Sequence, residues 1–371
     1  EPEGLQGIVY GGALANYALE LVRIEGADRA APLLHEGLDI MRSLGAKEDL
    51  AWPQLLAGWA FQDLQEIEEA FRESLDIFEA QQNHYGIAYA HMFLGWNYGN
   101  QGRYEEARSS IQHGLNVSRS LGDLEGQAVA QRQLGRLNLH MGHFEAARNS
   151  FRQESELWRE LGLLRPAGEA IRNLGMAHLL GGDTVRAESA FLESLAEFER
   201  VGDEVNPYWS LLGLARIALR RGQPEITREF LKEAGNIMEG RQDSEDQAIW
   251  WRLSGRLSLL QGDPMKAWRE LGRALDYGRQ AGNMDLLRTI VEFAYWYQRQ
   301  DDAEQAARLL GFVRSQDGKS AELVQWRIEP LLESLAANMM EQELSLLMAE
   351  GAQLDRQAII DGLGQMPNVI P

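Results

Sequence analysis

Seven arginines mark the chemistry in this sequence. In the windows 126–140, 166–180, 206–220 and 247–260, Arg132, Arg136, Arg172, Arg216, Arg220, Arg252 and Arg256 are set against a single acid, Glu169. The whole chain, by contrast, carries a net charge of −20 over 371 residues. Arg132, Arg172 and Arg252 each lie three residues before a small residue (Gly135, Gly175, Gly255), and Arg136, Arg216 and Arg256 each lie one residue after one (Gly135, Ala215, Gly255). Positions four apart share a helix face, so the two sets form one stripe. A guanidinium fork binds carboxylate or phosphate in bidentate fashion, and several forks at regular spacing suit an extended acidic chain better than one small ion.

The elements that must position this stripe show in a forty-residue beat. Leu94-Gly95, Leu134-Gly135 and Leu174-Gly175 fall one period apart, Ala215 and Gly255 continue the series, and it slips by one residue to Ala294. After each comes a turn (Gly102, Gly142, Gly182, Gly222, Gly262, and Asp301 in the slipped copy), then a small residue and a large apolar one, as in Ala147/Phe151 and Ala187/Phe191. Apolar residues recur at helical spacing on both sides of the turn, which predicts a helical hairpin per repeat; in the clearest copy the helices cover about 126–141 and 144–161. A fixed period of this size marks a solenoid, whose repeats bury their apolar faces only by stacking. The mid-helix glycines cost about 1 kcal/mol each relative to alanine, and close helix-to-helix approach is the expected compensation. Phe71 to Leu75 aligns with Phe191 to Leu195, extending the array back to about residue 48. The expected organisation is an N-terminal degenerate repeat or cap over 1–47, tandem repeats over 48–315, and a C-terminal helical cap over 316–371.

Composition excludes several classes of function. No apolar run reaches the length needed to span a bilayer, there is no basic-then-apolar leader, and the absence of cysteine rules out disulfides and thiolate metal sites. A cytoplasmic location is expected. The acidic balance repels nucleic acid and anionic membrane at long range, so any basic site must be local. The chain opens at Glu1-Pro2-Glu3 rather than at methionine, which points to processing or to a piece of a longer protein.

The pattern of small residue, turn glycine, alanine and large apolar residue, with further small residues at Gly114, Ser194, Ala234 and Ala274, resembles the tetratricopeptide repeat in its forty-residue form. That resemblance implies an all-α, tetratricopeptide-like α-solenoid, a right-handed superhelix of helical hairpins. More narrowly, Leu-Gly-Asp between repeats (Leu121-Gly122-Asp123), Ala306-Ala307-Arg308-Leu309-Leu310-Gly311 and Met348-Ala349-Glu350-Gly351 resemble the C-terminal part of MalT-like and AfsR-like bacterial STAND (NB-ARC) signalling ATPases and transcriptional regulators. In those proteins the array is a sensor that recognises an inducer, beside a nucleotide-binding module and an effector that this sequence does not show.

In the fold so implied, first helices line a concave groove and the arginine stripe points into it. The expected ligand-binding residues are Arg132, Arg136, Arg172, Arg216, Arg252 and Arg256, flanked by Trp96, Trp209 and Tyr295, with Trp52, Trp59 and Tyr89 in the same frame. Arginine and aromatic residues dominate recognition hot spots. The competing reading is structural: the arginines pair with acids on second helices such as Glu105, Glu145, Glu154 and Glu193, and tryptophans at other phases (Trp250, Trp251, Trp296) belong to the core. Gly318-Lys319-Ser320 fails as a phosphate loop because Val313 stands where that motif needs glycine. His140 and His143 lack partners at ligand spacing, no serine sits in a nucleophile elbow, and Asn116-Val117-Ser118 falls inside an expected helix. Neither a catalytic residue, a metal nor a cofactor is expected.

The resulting expectation is a non-enzymatic recognition module whose partner is a protein, a peptide or an acidic small-molecule inducer, together with the nucleotide-binding module of a parent protein if the chain is a fragment. The alternative is a free-standing scaffold for an acidic peptide segment. Single-stranded nucleic acid is disfavoured by the acidic bulk and the lack of lysine clusters.

Overall fold

A computed structural model describes residues 2–25, 27–46, 48–58, 63–238, 243–316 and 323–365, which form helices joined by short turns with no strand among them. In chain order the helices are α1 (Pro2–Glu25), α2 (Ala27–Ser43), α3 (Ala51–Ala57), α4 (Leu64–Ala80), α5 (His84–Asn100), α6 (Tyr104–Leu121), α7 (Leu124–His140), α8 (Phe144–Glu160), α9 (Leu164–Leu180) and α10 (Thr184–Arg200). There follow α11 (Pro207–Arg220), α12 (Pro224–Met238), α13 (Ser244–Leu260), α14 (Pro264–Ala281), α15 (Asn283–Arg299) and α16 (Ala303–Ser315). A π-helical turn, Val324–Ile328, then leads into α17 (Glu329–Ala336), α18 (Glu341–Ala352) and α19 (Arg356–Gly364). Trp59, Gly318-Lys319-Ser320, the first three residues of the polar break at 240–246 and the tail at Met366-Pro367 lie outside the described residues.

The α7/α8 hairpin shows why the beat produces this structure. Asp123 caps α7 by accepting from the Gly126 amide, satisfying one of the donors that a helix start leaves open. At the other end Gly142 adopts φ +75°, a left-handed conformation that costs a residue with a Cβ about 1–2 kcal/mol. That turn lets the His143 amide return to the Asn138 carbonyl at 2.8 Å. Asp301 takes the same role in the slipped copy, at φ 61°. Mid-helix Gly135 lies under the Phe151 ring, where an added Cβ would come within 2.5 Å of it, and Phe151 is fully buried. Burying such a ring contributes about 1.5–3 kcal/mol, which offsets the helix cost of the glycine. Gly175 against Phe191 and Gly255 against Leu271 repeat the arrangement.

The chain forms two compact units, Glu1–Ala170 and Ile171–Pro371. The core of the first runs through Leu34, Leu55, Phe71, Phe78, Met92 and Ile111. In the second, Trp268, Phe293, Trp296, Leu310 and Phe312 form the largest cluster, which continues into the final helices through Leu331, Leu347 and Ile360. There α16 and α18 cross where Gly311 lies against the Met348 backbone and Gly351 against the Arg308 backbone, an approach that side chains would block. Among the described residues no helix is long and apolar enough to cross a membrane.

Candidate functional site

The two repeat positions that carry arginine do different things. At the earlier position Arg252, on α13, is 2% exposed and buried against α15. Its Nη2 donates to Asp285 Oδ1 at 2.8 Å, and its Nη1 donates to the Asp285 carbonyl at 3.1 Å and to Thr289 Oγ1 at 3.3 Å. Burial pulls its pKa below the usual arginine value, opposed by Asp285. Arg252 therefore joins α13 to α15 and does not line open space, which corrects the expectation that it faces a groove. The physical reason is the acid at the start of the next first helix, which captures the guanidinium during packing.

Arg132 holds the same position on α7 and is partly captured too. Its Nε donates to Glu154 Oε1 at 2.6 Å, and Glu169 stands 3.5 Å from Nη2. Glu154 is wholly buried on α8 and also accepts from the Trp158 indole. Burial raises the Glu154 pKa against the pull of Arg132; burial lowers that of Arg132, but Glu154 and Glu169 prevail and raise it. Arg172, on α9, lies over the Trp209 ring at 4.9 Å, and the indole of Trp209 donates to Asp246 Oδ1 at 2.9 Å. Cation–π stacking thus places this residue on an aromatic face.

At the later position the arginines turn toward open space. Arg136, with Trp96, Gln133 and His140, borders a recess of about 20 Å³ in the first compact unit, room for about one water molecule. Arg216 on α11 and Arg256 on α13 line a cleft of about 240 Å³ in the second. The cleft floor is apolar, with Leu179, Leu219, Leu253 and Val291 from four successive first helices. Its polar wall carries Arg216, Arg220, Arg256 and Arg327 against one acid, Glu292. Arg216 Nη1 reaches the Met176 sulfur at 3.8 Å, and Arg220 Nη1 the Leu179 carbonyl at 3.5 Å. The Arg256 guanidinium stacks 4.2 Å over the Tyr295 ring. In a low-dielectric recess such a charge excess attracts anions far more strongly than it would on an open surface.

Sequence reasoning missed the far wall of this cleft. Arg327, Pro330, Leu331 and Ser334 come from the π-helical turn and α17, where the forty-residue beat is lost and no repeat frame could assign them a direction. Glu292, 4% exposed, was also missed. Arg327 Nη1 donates to Glu292 Oε1 at 2.5 Å. Arg256 Nε lies 2.8 Å from Glu292 Oε2, within ion-pair range, but the angle is wrong for a hydrogen bond, so neither atom is satisfied. Of the other aromatic residues placed in the groove frame, Trp52 is 42% exposed with its ring edge-on to Phe78 and Tyr89. Trp296 is core, as its phase implied, and Trp250 packs edge-on against Trp251. Among the described residues no three metal-binding side chains stand together.

A family model described as tetratricopeptide repeat matches residues 86–160. Among solved structures the chain is similar to a Rap protein complexed with competence and sporulation factor, at 14% identity over 89% of this chain and 99% of that one, with a TM-score of 0.60. It is also similar to NprR in complex with its cognate peptide NprX, at 14% identity over 80% and 85%, TM-score 0.56. A third match is a STAND protein with a tetratricopeptide repeat sensor from Pyrococcus horikoshii, at 12% identity over 87% of this chain but 51% of that one, TM-score 0.52. No curated protein matches the sequence. At such identities the likeness is one of fold: an all-α, tetratricopeptide-like α-solenoid.

Proposed function

We propose that this chain is a non-enzymatic recognition module that binds an acidic peptide or protein segment, with the arginine cleft of the second compact unit as its principal contact. One observation carries the reading: four arginines and one glutamate converge on an apolar floor in a chain whose net charge is −20. Arg216, Arg220 and Arg256 take the anionic groups, Tyr295 backs Arg256, and the leucine floor takes apolar side chains between them. Arg172 on Trp209 adds a flat cationic surface in the same compact unit. The likeness in fold to NprR, solved with its cognate peptide, supports a peptide over a metabolite.

In its finer form the module is the inducer sensor of a STAND-type signalling ATPase. The sequence resemblance and the likeness to a STAND protein with a sensor of this repeat class support that form. Its ligand would shift the population of a switching state by differential affinity. That form requires a nucleotide-binding module in the same reading frame; a gene without one would make the chain a free-standing scaffold.

The binding reading is tested with a fluorescein-labelled peptide of alternating leucine and glutamate, followed by anisotropy on the full chain. Wild type should bind, less tightly as salt screens the charges. Arg216→Glu together with Arg220→Glu should weaken binding at least about tenfold, the loss of one to two charge-assisted contacts, with the helical circular dichroism signal intact. Equal affinity in wild type and double variant would remove the cleft from the reading.

A further inference from the structure

Glu292 stands between two arginines that belong to different parts of the second compact unit. Arg256 comes from a repeat helix, α13, and is 37% exposed at the cleft; Arg327 comes from the π-helical turn before α17 and is 16% exposed. The two contacts differ in quality. Arg327 to Glu292 is a short hydrogen bond, whereas Arg256 to Glu292 is at ion-pair distance with both facing atoms unsatisfied. One buried carboxylate thus divides its charge between two guanidinium groups, one aligned and one misaligned. A buried carboxylate interacts most favourably when its partner is well aligned and fully hydrogen-bonded. A second contact joins the same elements, with Gln298 Nε2 of α15 donating to Ser334 Oγ of α17 at 2.6 Å.

We infer that ligand binding in the cleft fastens the C-terminal cap: an anion seated on Arg256 releases Glu292 to pair wholly with Arg327, tightening the π-helical turn and α17 onto α15. The inference rests on the cleft being the ligand site proposed above. Arg256 is the arginine able to change partner, because it is the more exposed of the two and its bond to Glu292 is already off-axis. Arg327 is the one that stays, because its bond is aligned and its side chain is the more buried. The ligand's negative charge also makes the potential at Glu292 more negative, and that repulsion drives the carboxylate toward Arg327. Binding at repeat helices is thereby read out at the cap. This coupling is reciprocal: fastening the cap leaves Arg256 open to the ligand.

The test is hydrogen exchange of the full chain, following amides in 329–336, with and without the leucine–glutamate peptide. In wild type the peptide should slow exchange of these amides by about tenfold, inside the usual range for coupled sites. Glu292→Gln should speed their exchange in the free protein, bind the peptide at least as tightly as wild type, and show no further slowing when it binds. Arg327→Gln serves as an independent variant: it should loosen 329–336 in the free protein and also lose the slowing. Peptide binding to wild type with exchange of 329–336 unchanged overturns the inference and leaves the cleft reading standing. Failure of the peptide to bind either wild type or Glu292→Gln overturns both.

Discussion

In the first compact unit Arg132 donates to a wholly buried carboxylate, Glu154, and Arg136 borders a recess for about one water molecule. In the second, Arg216, Arg220 and Arg256 surround a cleft of about 240 Å³. The two regions carry arginine at the same positions of the repeat, so repeat position alone does not decide whether an arginine lines a cleft. What differs is the surroundings. The next first helix offers an acid to Arg252 through Asp285, the second helix of its own hairpin offers Glu154 to Arg132, and the later position meets a cleft wall with one acid among four arginines.

Four variants would break or sharpen this contrast. Asp285→Ala leaves Arg252 charged and buried without its carboxylate, and should cost about 3–5 kcal/mol of unfolding free energy by urea denaturation. A loss below 1 kcal/mol would mean that Arg252 can reach solvent and that its separation from the cleft arginines is wrong.

Arg132→Met should cost less, about 1–3 kcal/mol near neutral pH, because Arg132 is partly exposed and Glu154 can answer by taking up a proton. The sign follows from the raised pKa of Glu154. A carboxyl raised in the folded state binds its proton more tightly there than in the unfolded chain, so its contribution to stability is full below the unfolded pKa and fades as pH rises through the folded one. Removing Arg132 raises the folded value further. The deficit of the variant should therefore shrink as pH falls from 8 toward 5, measured as the difference in urea midpoint between variant and wild type. A deficit that grows on acidification would show Glu154 to be held charged by another partner.

The smallest effect separates the two arginines of the later repeat position, Arg136 and Arg216. Arg136→Glu should change affinity for the leucine–glutamate peptide less than twofold. Arg216→Glu alone should weaken the peptide severalfold at similar stability. Comparable losses from both would dissolve the distinction between the two compact units and restore the single stripe.

The repeat fold was legible because its determinants are local and periodic. Gly142 and Asp301 mark turns through their own backbone conformation, and Gly135, Gly175 and Gly255 announce close packing against Phe151, Phe191 and Leu271. The candidate cleft was legible only at its near wall. Arg216, Arg256 and Tyr295 were found from phase within the repeat, but Arg327 and Ser334 sit where the phase is lost, and Glu292 is an acid in an unremarked position of an arginine-bearing face.

By itself the sequence determined the hairpins, their caps and turns, and the concentration of arginine on first helices, since each depends on residues within one repeat of one another. The tertiary structure decided which arginines are available. Electrostatic pairing depends on distance in space, and the acids that capture Arg132 and Arg252, like the Arg327 that completes the cleft, lie between 22 and 111 residues away from the arginines they affect, as Glu154 from Arg132 and Arg327 from Arg216 show.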